Sequence, residues 1–199
     1  MYVNLLLTQK MISLNMEINY LMNVKTQFKY YKSVGEKTFK QLEEKELFWR
    51  FNEASNSVAI IVNHLYGNMN SRWTNFLTSD GEKEWRNRDL EFESVIKNKE
   101  ELLEKWNDGW QCFFEALNSI NEENFNTTIY IRNQEHTIIE AINRQLAHYS
   151  YHIGQIVQIG KMIKGRGWKS LTIPKGKSME FNAKKFSKGK HDGDFSDDL

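Results

Sequence analysis

Two histidines stand four residues apart in QLAHYSYHIGQIV, at positions 148 and 152. On an α-helix that separation leaves the side chains about 40° apart on one face, one turn above the other, so two imidazoles can reach a single ion. The same face carries Ala141, Gln145, Ile156 and Ile159, which puts the pair at or beside the buried side of the helix. Protonated imidazoles are poorly tolerated there, whereas neutral ones that direct their lone pairs at a cation are not. An H-x-x-x-H pair also arises by chance on ordinary helices, so a metal reading needs a third ligand. Of the five histidines, His64 is the best supplier: it lies beside an apolar stripe near Ile61 and Leu65. His136, in a short β-branched stretch, and His191, near the C-terminus, read as surface residues.

Three neutral nitrogen ligands without a cysteine or a matching carboxylate suit Zn²⁺ or Ni²⁺ and leave a position for water or substrate. One divalent ion per chain is expected. Such an ion could acidify a bound water towards neutral pH or hold an incoming thiol as thiolate, and either species is a nucleophile. Gln155, one turn beyond His152, could orient a ligand or bond to bound water, and Tyr149 and Tyr151 could line a pocket, with a packing role expected for at least one of them. No residue has the spacing of a catalytic acid or base. Cys112 reads as a small core or boundary residue, because no basic neighbour is present to lower its pKa. The PKGKS segment lacks phosphate-loop spacing and opens no helix.

Four helices are expected to position these residues. Val24, Phe28, Tyr31, Val34 and Leu42 form the stripe of a first helix over about 23–42. A second runs through VAIIVNHLYGNMNSRWTNFL with Val58, Ile61, Leu65, Met69, Trp73 and Phe76 inward. The segment TSDGEKEWRNRD, dense in charge and without period, reads as an exposed loop. A third helix begins near Asn98 and carries Leu103, Trp106, Trp110, Phe113, Leu117 and Ile120. A β-hairpin is expected between TTIYI and EHT, and Thr137 with Glu140 has the spacing of a capping box opening a fourth helix that runs to about Ile163. The expected architecture is all-α: a four-helix bundle with a short hairpin between helices three and four and an irregular C-terminal extension.

At 199 residues the chain suits one domain, and its single proline, Pro174, leaves long helices unbroken. The cluster Met11, Met16 and Met22 marks residues 1–21 as an N-terminal extension or start-site artefact. Residues 22–184 are then the bundle and 185–199 a flexible charged tail. The first apolar run is too short for a membrane span and wrongly flanked for a signal peptide, and the lone cysteine fits a reducing compartment, so a cytoplasmic protein is expected. Charge is uneven: residues 161–190 hold ten Lys and Arg against one Glu, and residues 191–199 hold four Asp and neither Lys nor Arg. The remainder is net acidic, which argues against nucleic-acid binding by the folded part.

The segments VNHLYGNMNSRW and LAHYSYHIGQIV, on the second and fourth helices, resemble the DinB superfamily. Its YfiT-like members place one histidine on the second helix and an H-x-x-x-H pair on the fourth around a divalent metal. NSVAIIVNHL, SRWTNFLTSDGEKEWRNRD and LTIPKGKSMEFN look like a domain-of-unknown-function subfamily within it, and the resemblance spans about residues 22–184. Relatives there include thiol-dependent transferases and isomerases. The resemblance therefore implies a metal-dependent transferase or hydrolase acting on a small molecule, with a low-molecular-weight thiol as candidate partner. The alternative is a non-catalytic, metal-stabilised bundle used for homodimerisation or small-ligand binding.

Overall fold

The computed structural model describes the backbone of residues 2–197 and the side chains of residues 16–197. Among these the chain is mostly helical, with α1 at Tyr2–Phe39, α2 at Val58–Trp73, α3 at Lys99–Ser119, α4 at Ile138–Lys164 and α5 at Ser178–Ser187. One antiparallel hairpin, β1 at Thr128–Ile131 and β2 at Gln134–Thr137, separates α3 from α4.

Helix α1 begins far ahead of the expected residue 23 because neither proline nor glycine interrupts the chain before Gly35. The proposed extension of residues 1–21 lies largely outside the residues whose side chains are described. At its end, Tyr20 already packs on the core and donates its hydroxyl proton to Asn143 Oδ1 of α4 at 2.7 Å.

The remaining helix starts are set by local capping. Ser57 Oγ accepts from the Ile60 amide at the head of α2, and Asn98 Oδ1 from the Glu101 amide at the head of α3. Thr137 and Glu140 form the reciprocal box that opens α4. Gly165, at φ 51°, ends α4 in a left-handed conformation that side chains disfavour. The hairpin turns at Arg132 and Asn133, whose φ values of 57° and 60° give the twist a two-residue loop requires.

Helix α2 packs along α3, and α1 packs along α4. All six inward positions expected on α2 are buried, as are Trp106, Trp110, Phe113 and Leu117 of α3 and Ile120 just after it, while Leu103 yields the fully buried place to Leu102. Phe28 of α1 sits edge-on to Phe113 at 4.5 Å and to Tyr149 at 5.9 Å between ring centroids, so aromatic contacts tie three helices into one core.

The C-terminal extension expected to be irregular holds one further helix. It is α5, built from helix-forming Met, Glu, Ala and Lys, and none of its residues is buried. Beyond it the Phe195 ring lies 5.1 Å from that of Tyr30, in the segment read as a flexible tail. The charged segment after α2, residues 78–89, is an irregular and mostly exposed loop, as expected, but it is tethered at defined points. Asp80 accepts from the amides of Arg132 and Asn133 at 2.8 and 2.7 Å, Gly81 donates to the Tyr130 carbonyl, and residues 89–92 form a 3-10 turn against α2. No helix among the described residues is long and apolar enough to cross a membrane.

Candidate metal centre

Helices α2 and α4 bring His64, His148 and His152 together. His148 Nε2 lies 3.2 Å from His64 Nε2 and 3.1 Å from His152 Nε2. Two nitrogens bound tetrahedrally to one ion at 2.0–2.1 Å stand about 3.3 Å apart, so the spacing is that of ligands sharing a metal. These three side chains form the one such group found among the described residues. His136 and His191 stand apart from it: His136 Nδ1 bonds to the Gln134 carbonyl and His191 Nδ1 to the Gly189 carbonyl.

Each imidazole is oriented through its other nitrogen. His64 Nδ1 donates to Glu91 Oε2 at 2.8 Å, His152 Nδ1 to Gln155 Oε1 at 3.0 Å, and His148 Nδ1 faces Gln145 Oε1 at 3.4 Å. With the protons on Nδ1, all three Nε2 lone pairs point into one small volume. That repulsion is relieved by a cation, which is why imidazole metal ligands carry such partners. Phe92 stacks on the His64 ring at 4.6 Å and fixes its plane.

Electrostatics favour the neutral, ligating form of His148 and His152. Burial lowers the pKa of His148 to about 3, with the charges of His152, His64, Arg72 and Arg144 acting in the same sense. Burial and His64 lower that of His152 to about 4, against the Gln155 hydrogen bond. Burial opposes ionisation of Glu91, but hydrogen bonds from His64 and Arg86 outweigh it and hold the carboxyl below its usual range.

Sequence reasoning missed the support behind His64. Arg86 grips Glu91 with Nε to Oε1 at 2.7 Å and Nη2 to Oε2 at 3.0 Å, and Asn63 Nδ2 holds the Glu91 carbonyl at 3.0 Å. Both members of this ion pair are buried, with side chains 2% and 7% exposed. Arg86 belongs to the segment expected as an exposed loop, and Glu91 lies two residues beyond its end.

The two tyrosines part company. Tyr149 does not line a pocket: it is wholly buried, its hydroxyl donates to Asn68 Oδ1 at 3.2 Å, and its neighbours are aromatic core residues. The reason is helix geometry, since a step of one residue from His148 turns the side chain by about 100° into the bundle. Tyr151 is exposed, with its ring 5.1 Å from that of His152, at the edge of a cavity of about 430 Å³ that also borders all three histidines. The centre is thus open on one side. Cys112 is elsewhere, against Thr74 and the Met69 carbonyl, and burial raises its pKa.

No curated protein and no solved structure matches the sequence significantly. A family model matches residues 15–177, a span that includes the three histidines, their oxygen partners and the Arg86–Glu91 pair. On that match, the chain belongs to the family described as protein of unknown function (DUF1572).

Proposed function

We propose that this chain is a metal-binding protein of DinB-like four-helix-bundle type, with α1 to α4 as the bundle and His64, His148 and His152 as ligands to one zinc or nickel ion. The observation that carries the reading is the convergence of three Nε2 atoms whose Nδ1 atoms each face a side-chain oxygen. The donor set fits such an ion: three imidazoles, no thiolate, and an open side towards a cavity. An ion held there would supply Lewis acidity, bringing a water or thiol towards ionisation at neutral pH. The protein's own part is to keep His148 and His152 neutral by burial, to fix the imidazole planes through Glu91, Gln145, Gln155 and Phe92, and to leave a wall of the site open to a small molecule. We read that opening as the mark of a transferase or hydrolase, with a thiol as candidate substrate, in preference to a closed site that only stabilises a bundle or a homodimer. The free thiol of Cys112 accords with a cytoplasmic setting.

Metal analysis of protein purified without a histidine tag tests this reading. About one divalent ion per chain is expected. His148→Ala and His152→Ala should remove most of it, and His64→Ala should weaken binding far more than His136→Ala. Full stoichiometric binding in the His148→Ala/His152→Ala variant, or a sharper loss from His136→Ala than from His64→Ala, would overturn the ligand assignment.

A further inference from the structure

The cavity over the three histidines is lined by five arginines, Arg72, Arg86, Arg88, Arg132 and Arg144, and by no lysine. Two carboxylates answer them. Glu82 is shared by Arg72 at 2.9 Å, Arg86 at 3.2 Å and Arg132 at 3.2 Å, while Glu91 is engaged by Arg86 and His64. Arg88 and Arg144 have no carboxylate partner among the described residues. Arg88 lies over the Phe92 ring, 5.1 Å from its centroid, and Arg144 Nη1 faces His136 Nε2 at 3.4 Å. This concentration of positive charge is not inherited from the composition, because the ten Lys and Arg that outweigh acid in the sequence lie at 161–190, outside this cavity.

We propose that the cavity is a binding site for a small molecule bearing an oxyanion, a carboxylate or phosphate, held by Arg88 and Arg144 beside the metal centre. Guanidinium groups suit this role because their planar fork matches two oxygens of such a group and stays charged at all relevant pH. Arg72 and Arg86 are already committed to carboxylates and form the fixed positive wall; Arg88 and Arg144, both exposed, retain donors to offer. Neutral histidines contribute no compensating negative charge, so a bound cation would add to the attraction. The size of the cavity, about 430 Å³, fits a small molecule and not a nucleic-acid duplex. This inference deepens the metal-site reading, resting on it for the placement of the reacting end of the ligand, whereas the anion contacts stand on the arginines alone.

The test is calorimetric titration of the full chain, as purified and after chelation, with inorganic phosphate and with succinate at constant ionic strength. Saturable binding of at least one of the two is expected, and the preferred one identifies the anion class. The Arg88→Gln/Arg144→Gln variant should bind it tenfold or more weakly with unchanged metal content. Arg50→Gln, an exposed arginine outside the cavity, should leave binding unaltered. Binding of neither anion, or binding indifferent to the arginine substitutions, overturns the proposal. Arginine-dependent binding in a protein that takes up no metal upholds the anion site and refutes the metal reading, so the two failures are separable.

Discussion

The Gly67→Ala substitution sets helix propensity against the carboxylate that orients His64. Gly67 lies inside α2, where alanine is favoured over glycine by about 0.8–1.0 kcal/mol. A Cβ at this position, however, would stand 2.4 Å from Glu91 Oε1, 2.7 Å from its Cδ and 2.9 Å from its Cγ. Ordinary contact requires the carboxylate to retreat by roughly 1 Å. That retreat is not free, because the carboxylate is held by Arg86 through two hydrogen bonds and by His64 through a third. Each bond to a charged group contributes about 1.5–3 kcal/mol, so losing one exceeds the propensity gain. The expected net effect is destabilisation by about 1 kcal/mol or more, a fall of roughly 2–4 °C in Tm for a chain of this size. Because His64 loses its orienting partner, metal affinity should also fall by about 10–100-fold. Thermal denaturation and competition titration against a chelating dye measure the two effects. Gly154→Ala is the control: a Cβ there meets nothing within 4 Å, so it should stabilise α4 and spare the metal. If Gly67→Ala raises Tm and leaves metal affinity unchanged, the carboxylate is not pinned as described and the argument for a Glu91-oriented ligand fails.

Acid should destabilise the metal-free protein over a defined window. His148 and His152 have folded pKa values lowered to about 3 and about 4, so above the unfolded value near 6.5 both are neutral in either state; as pH falls from there towards 4 the unfolded chain gains protons that the folded one refuses. Stability in urea should decline by on the order of 1 kcal/mol per pH unit per histidine across that range, and His148→Ala/His152→Ala should flatten the slope. Chelation should lower Tm while the far-ultraviolet circular dichroism stays helical, because the aromatic core is independent of the ion; a random-coil spectrum would contradict this. Arg86→Met should cost about 3–5 kcal/mol by leaving Glu91 buried without its partner, whereas a change within about 0.5 kcal/mol in chemical denaturation would indicate a solvated loop.

Local signals were sufficient for much of this chain. The 3.6-residue period of α2, α3 and α4, the caps at Ser57, Asn98 and Thr137, and the turn before Gln134 depend on neighbours within a few positions, so they are legible in order along the sequence. The H-x-x-x-H pair is equally local, since one helix suffices to align His148 with His152. Their meeting with His64, 84 residues away from His148, is decided by the packing of α2 against α4. Tertiary structure alone also decided the fate of the charged segment after α2. Its residues have no periodicity to reveal burial, and its ion pairs close with Arg72 on one helix and Arg132 in the hairpin. Likewise, Tyr149 and Tyr151 flank the same histidine face in sequence, but only the position of the neighbouring helices sends one into the core and leaves the other at the mouth of the cavity. Periodicity specifies which face a residue occupies; what that face meets depends on contacts distant in the chain, and the site is made from those contacts.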